Sequence, residues 1–222
     1  MPISSSKLYD LAMRVPIAAL TLYFLARELD GLRAAIGRHP VLDDDPQFLL
    51  GVAARVAVIE FLLLLAFFFL ARRPPVRKLA AWSPKVIALL GYSLTLLVLL
   101  LPRAPANVWF DGASTLLILG GNIVCVLALL SLGRSLSILP EARKLVTEGL
   151  YRRIRHPLYL AEEIAIIGLF LQYRSWTAAA IVIVHAALQL RRMAWEEQVL
   201  GETFPEYGAY AQRTDRVIPG VY

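Results

Sequence analysis

The 222-residue chain is 58% hydrophobic with a mean hydropathy of +0.61. Soluble domains are about 45–50% apolar, and here the excess lies in long uninterrupted runs, so the composition excludes an ordinary soluble domain and indicates a polytopic membrane protein. The net charge of +6 comes from basic residues set between the apolar runs, where they fix topology and touch anionic lipid rather than nucleic acid.

Six apolar runs predict six helices, at residues 11–29, 48–70, 84–101, 113–132, 158–171 and 176–190. About 20 helical residues cross a hydrocarbon core of about 30 Å. Runs two to four satisfy this comfortably. Run one is marginal, with Arg27 and Glu28 at its far end; a polar stretch with Lys7 and Arg14 precedes it and no small-x-small cleavage site follows it, which reads as a retained signal anchor. The last two runs are short and only residues 172–175 part them, which predicts a tight helical hairpin.

Lysine and arginine set the orientation. The segment 72–78, the connection between runs four and five, and the tail with Arg191, Arg192, Arg213 and Arg216 are basic. The opposite loops hold Asp43, Asp44 and Asp45 and the sparse segment 102–111. The positive-inside rule places both termini and the basic loops in the cytosol. Residues 195–222 return to an amphipathic composition interrupted by Pro205, which predicts two short helices folding back on the cytosolic loops.

The expected fold is therefore an all-α, polytopic membrane helical bundle of about six transmembrane helices. The whole chain, 1–222, forms one integral membrane domain with a cytosolic pocket built from the 133–157 loop and the C-terminal tail. Within it, 1–110 supplies N-terminal spans that carry no motif. Cys125 sits inside an apolar run as a small buried hydrophobe, and a single cysteine excludes an internal disulfide. His39, His156 and His185 lack ligand spacing, so no metal is expected. Glu60 falls mid-span, where a carboxylate is expensive; His185, Gln189 and Asn122 are its candidate partners, and Arg55 is free to snorkel outward.

The chemistry concentrates at Arg155-His156-Pro157. Proline favours the first helical turn and disfavours helix in the residue before it. His156 should thus sit at the N-cap of the fifth helix, with Tyr159 in the first turn beside the free N–H groups. A second cluster, Arg192-Met193-Ala194-Trp195-Glu196-Glu197, puts Arg192 and Glu196 on one helix face directly after an apolar span. A guanidinium there suits a lipid-borne anion.

The run from Leu145 to Tyr151, followed by Arg155-His156-Pro157-Leu158-Tyr159, resembles the isoprenylcysteine carboxyl methyltransferase family. So does Arg192-x-x-x-Glu196-Glu197-x-x-Leu200 with Phe204, Tyr207, Tyr210, Arg213 and Pro219 after it; the likeness covers about the last 85 residues. It implies an integral membrane methyltransferase whose core is 111–222, using S-adenosylmethionine on a lipophilic membrane acceptor, most naturally the carboxylate of a prenylcysteine-like lipid. By position, Lys144, Leu145, Val146, Tyr151, His156, Pro157, Leu158, Tyr159 and Glu196 become cofactor contacts. Arg192 becomes the residue that orients the acceptor. A carboxylate acceptor is nucleophilic without a base, whereas an amine needs one, from Glu197, Glu162 or Glu163. The Arg-His-Pro-x-Tyr element is also similar to membrane sterol reductases, which use a nicotinamide cofactor; such an enzyme would rely on Arg143, Lys144 and Arg153. A non-enzymatic lipid-binding scaffold is the remaining alternative. Nothing in the sequence sets the oligomeric state.

Overall fold

The computed structural model describes residues 5–38, 46–71, 73, 75–78, 81–105, 107–136, 139 and 141–221. Seven helices follow in chain order among them: α1 (Ser5–Arg38), α2 (Pro46–Ala71), α3 (Ser83–Leu97), α4 (Val108–Leu132), α5 (Pro157–Tyr173), α6 (Trp176–Thr203) and the short α7 (Tyr207–Ala211). The acidic run Asp43–Asp45 and the start of the basic 72–78 segment lie outside the described residues.

Five of the six apolar runs lie wholly within a helix, and the third passes from α3 through a 3-10 turn that ends at Leu100. Among the described residues three helices are long and apolar enough to cross a membrane: α2, α3 with the 3-10 turn that extends it to Leu100, and α4, whose extension reaches Ser135. The expectation of six such spans is met only in part. The remaining helices depart from it for identifiable reasons. α1 carries Arg27, Glu28, Asp30 and Arg33, α5 stops at 17 residues, and α6 carries His185, Gln189, Arg191 and Arg192 along its length.

Local chemistry sets the ends. Asn107 caps α4, its side-chain oxygen accepting from the backbone N–H groups of Trp109 and Phe110. α5 stops at Arg174, which closes the helix in the left-handed conformation at φ +33°. Ser175 then caps α6 by accepting from the Ala178 N–H at 3.1 Å. The predicted tight hairpin is thus built from one helix stop and one helix start on adjacent residues. α6 does not end with its apolar run. No breaker separates Leu190 from Pro205, so the Glu196–Glu197 segment continues the sixth helix rather than forming a separate tail helix.

α4 packs most closely on α5. A β-carbon on Gly121 would come within 2.9 Å of the Ala161 carbonyl, and one on Gly168 within 3.0 Å of the Ile118 backbone nitrogen. The two backbones approach only because both positions are glycine. Ser114 adds a hydrogen bond across this contact, donating to the Gly168 carbonyl at 2.7 Å. α2 lies against α4 and α1, with Phe69, Leu65, Leu129 and Ala88 in one apolar cluster.

This packing reassigns the mid-membrane polar groups. α6 lies on α5 and α3, so His185 and Gln189 pair with α5 rather than with Glu60 of α2. Glu60 instead lines a groove on the α2–α4 face with Asn122, whose amide donates to the Ala57 carbonyl at 2.9 Å. Arg55 turns to Glu28 of α1 at 3.2 Å. Cys125 is buried, as expected.

Candidate functional site

Three segments converge beyond the end of α4. The α2–α3 connection contributes β1 (Arg77–Lys78), which pairs antiparallel with β2 (Glu141–Ala142) in the 133–157 loop. Arg77 also reaches α6, donating to the Glu202 carbonyl at 2.9 Å and to its carboxylate at 2.7 Å. A 3-10 turn at Gly149–Arg152 then brings Tyr151 inward.

His156 is the N-cap of α5 and Pro157 its first residue. The tail docks here in an extended conformation: the backbone N–H groups of Arg155 and His156 donate to the carbonyls of Asp215 and Arg216 at 2.8 and 3.0 Å. Arg155 fastens the same segment by donating to the carbonyls of Ala211, at 2.7 Å, and Thr214.

Glu197 is the hub of this docking. Its Oε1 accepts from Arg155 Nε, His156 Nε2 and Arg216 Nε, each at 3.0 Å. Burial lifts this carboxyl, but the hydrogen bonds from His156 and Arg155, with the charges around it, outweigh burial and hold it at about 2. An ionised carboxylate can only accept, so His156 Nε2 carries the proton.

Between these segments and the helices lies a bent cavity. Its larger part encloses about 860 Å³, counting its open mouth. An adjoining hollow under the loop shares Glu141, Tyr151, Arg155, His156 and Glu196 with it. Of the residues singled out from sequence, Lys144, Leu145, Val146, Tyr151, His156 and Glu196 line the loop-side hollow. Tyr151, His156, Leu158, Tyr159, Arg192 and Glu196 line the larger part.

Pro157 and Glu197 are the two that do not line it. Pro157 is buried and shapes the start of α5. Glu197 is turned instead to Arg155, His156 and Arg216 at the docked tail. Glu197, expected as a base for an amine acceptor, is thus not among the residues that line the cavity.

The α5–α6 wall is a continuous polar network. The Tyr159 hydroxyl donates to Glu196 Oε2 at 2.8 Å. The Arg192 guanidinium lies 5.0 Å above the Tyr159 ring and donates to Gln189 Oε1 at 2.5 Å. The Gln189 amide donates in turn to Glu162 Oε2 at 2.7 Å. Below it, His185 Nδ1 lies 2.8 Å from Glu163 Oε1, outside hydrogen-bonding directions.

The donors and acceptors at the loop end fit S-adenosylmethionine. Glu196 and the buried Glu141 offer carboxylates toward an ammonium or ribose hydroxyls. The Tyr207 hydroxyl is buried at the hollow without a hydrogen-bond partner among the described residues. Burial pushes the phenols of Tyr151 and Tyr207 upward and that of Tyr210 to about 12, so all three remain protonated.

Several lining residues escaped sequence reasoning. Phe61 and Leu65 of α2 and Tyr92 and Leu96 of α3 form the opposite wall. No spacing signal marks them, because an apolar residue facing a cleft looks like one facing lipid. Glu141 was not singled out either, and the basic Arg143 two residues on was the available hint; Glu162, named among the candidate bases, lines the larger part.

Comparison with known proteins finds similarity over the stretch that holds this site. Residues 111–207 match the phospholipid methyltransferase family. A nickel-cobalt-cadmium resistance protein of Alcaligenes xylosoxydans xylosoxydans is 38% identical over 80 residues, 36% of this chain and 38% of that protein. A cobalt-zinc-cadmium resistance protein of Cupriavidus metallidurans is 36% identical over 76 residues, covering 34% and 35%. Protein-S-isoprenylcysteine O-methyltransferase B of Arabidopsis thaliana is 30% identical over 131 residues, covering 56% of this chain and 66% of the relative. The chain thus spans about a third to two thirds of the length of these relatives. Among the described residues no group of three or more His, Cys, Asp or Glu stands ready to hold a metal ion. The matched stretch runs from the first turn of α4 to Tyr207 and contains the whole α5–α6 wall, and over this stretch the chain is similar to the phospholipid methyltransferase family, of the isoprenylcysteine methyltransferase type.

Proposed function

We propose that this chain is an integral membrane methyltransferase that carries the methyl group of S-adenosylmethionine to a lipophilic acceptor with an anionic group. The resemblance implies a carboxylate such as that of a prenylcysteine-like lipid. The observation that carries the reading is the two-ended cavity. Its loop end is lined by Lys144, Val146, His156 and Glu196, and its inner end by Phe61, Leu65 and Leu96, with Arg192 between them. A water-soluble donor and an apolar acceptor need such a shape in order to meet.

In this reading the methyltransferase core is 111–222. All six long helices lie in or across the bilayer, both termini are cytosolic, and the loop end of the cavity opens to the cytosol. The distribution of lysine and arginine supports that orientation.

S-Adenosylmethionine, when bound, supplies a sulfonium methyl already activated for displacement. The protein's part is to bind, orient and exclude water. Lys144, Leu145, Val146, Tyr151, Leu158 and Tyr159 line the donor's place, and Glu196, fixed by the Tyr159 hydroxyl, accepts its polar hydrogens. His156 and Pro157 set the start of α5, and Glu197 positions the tail as a clamp. Arg192, braced by Gln189 and the Tyr159 ring, holds the acceptor's anion.

The geometry gives less support to a nicotinamide-dependent reductase. Arg153 lines neither part of the cavity, and Arg143, which lines the loop-side hollow, is ion-paired with Glu141 at 2.7 Å. One of the three cations such an enzyme would rely on is therefore not presented to a diphosphate, and a second is already engaged by a carboxylate.

Calorimetry on the detergent-purified chain tests the reading, with S-adenosylhomocysteine and, separately, NADPH. Saturable S-adenosylhomocysteine binding that weakens in Glu196→Ala is expected. Binding of NADPH alone would move the assignment to the reductase. Binding of neither by folded protein would leave a non-enzymatic scaffold.

A further inference from the structure

We infer that Glu162 is a further catalytic residue, the proton acceptor for a nucleophile that reaches the cavity still protonated, a lipid-borne amine or hydroxyl. The inference rests on the methyltransferase reading and deepens it by naming the acceptor's reacting group.

Glu162 lines the main cavity and also a second, inner apolar hollow, where it meets Phe61 and Leu96. It therefore stands where an apolar tail would give way to a headgroup. Its Oε2 is held by Gln189 at 2.7 Å, while Oε1 has no hydrogen bond among the described residues. The neighbouring Glu163 is turned elsewhere, to His185 at 2.8 Å. Of the two adjacent carboxylates on α5, one has a cationic or polarisable partner behind it and the other faces the cleft.

Gln189 also sets the polarity of the acceptor site. Its carbonyl accepts from Arg192 at 2.5 Å and its amide donates to Glu162. A carboxylate only accepts and a guanidinium only donates, so the amide orientation is determined by its partners. One side chain thus holds a cation and an anion a fixed amide-width apart at the reacting end. A headgroup carrying only a carboxylate satisfies Arg192 but sets like charges side by side at Glu162, in a poorly solvated place. A headgroup with an anion toward Arg192 and an N–H or O–H toward Glu162 satisfies both.

The step balances. The acceptor's N–H or O–H proton passes to Glu162 Oε1. The freed lone pair forms the bond to the methyl carbon, and the carbon–sulfur bond of the donor breaks with its electrons returning to sulfur. S-Adenosylhomocysteine and the methylated lipid leave, and the proton on Glu162 is lost to water at the cavity mouth.

The test uses the full chain in vesicles with labelled S-adenosylmethionine. The vesicles carry, separately, an aminophospholipid, a long-chain alcohol, an N-blocked farnesylcysteine and a total bacterial lipid extract. Wild-type protein should label an amine or hydroxyl lipid. Glu162→Gln should lower kcat about 10²–10⁴-fold, flatten the acid side of the kcat–pH profile, and bind S-adenosylhomocysteine within about twofold of wild type; Glu162→Asp should recover part of kcat. Labelling of the carboxylate lipid alone, or of no lipid by protein that binds S-adenosylhomocysteine, overturns the inference and leaves the cofactor site standing. So does an unchanged kcat and profile in Glu162→Gln. Should Glu162→Gln fail to fold, the wild-type profile decides: a rate with no acid limb overturns the inference. Neither binding nor labelling by folded wild-type protein removes the methyltransferase reading and the inference with it.

Discussion

The two walls of the cavity differ in origin and in chemistry. The α5–α6 wall presents Tyr159, Glu162, Arg192 and Glu196, cross-linked by hydrogen bonds between residues up to 37 positions apart. The α2–α3 wall presents Phe61, Leu65, Tyr92 and Leu96. The first lies within the family match at 111–207 and the second lies wholly outside it. On the reading proposed above, the polar wall handles donor and reacting group, and acceptor choice is expected to reside in the apolar wall.

The largest effect should come from the polar wall. Arg192→Ala removes the guanidinium that touches Gln189 and covers Tyr159, so both the acceptor's anion and the network lose their brace. A loss in kcat/KM on the order of 10³ is expected, consistent with loss of a charged contact together with misplacement of reacting groups. S-Adenosylhomocysteine affinity should change less than tenfold. Equal losses in both would erase the division between acceptor and donor residues. Glu196→Ala should do the reverse and weaken S-adenosylhomocysteine binding by roughly 10–100-fold, since a hydrogen bond to a charged group contributes about 1.5–3 kcal/mol.

Leu96→Trp probes the apolar wall. Added volume at a cavity-lining position should raise KM for long-chain acceptors roughly tenfold and leave donor binding unchanged, as a few methylene groups' worth of lost contact implies. A variant that loses donor binding as well would show that the two walls do not act separately.

How much of this was legible before the fold was known follows the same division. The Arg-His-Pro run located the N-cap and first residue of α5 because proline chemistry is local. The i, i+4 spacing placed Arg192 and Glu196 on one face because helix periodicity is local too. Phe61, Leu65, Tyr92 and Leu96 could not be found that way. Their role depends on which side of a hydrophobic helix another helix covers, and a span that is apolar all round carries no such record. The clasp of β1 on β2 is two residues per strand, too short for any alternation to register. That Glu196 lines the cavity while Glu197 holds the tail was not legible either, because it depends on where the tail docks.

The Glu197 clamp makes a smaller prediction with a definite sign. Its carboxyl sits at about 2 in the folded chain, against about 4.3 for an ordinary glutamate. Between those values the unfolded chain binds more protons, so the stabilisation is complete above about pH 4.3 and is lost as pH falls toward 2. Glu197 is partly solvated, and screening reduces the effect to about 1 kcal/mol. Thermal unfolding of wild type and Glu197→Gln across pH 2–6 measures it. The two curves should converge at the acid end, and parallel curves would show that the clamp is not ionised in the folded state.

The smallest effect separates binding from stability most cleanly. The Tyr207 hydroxyl is buried beside the donor hollow with no partner among the described residues. A buried donor left unsatisfied costs stability, while the same donor bonded to a ligand adds affinity. Tyr207→Phe should therefore leave the ligand-free protein as stable as wild type or slightly more so, and weaken S-adenosylhomocysteine binding by about threefold to tenfold. The ligand-induced rise in melting temperature should shrink accordingly. Were Tyr207→Phe to lower stability without touching affinity, the hydroxyl would be serving the tail's packing on α6, and the donor's polar contacts would have to be sought at Glu141 and Glu196 alone.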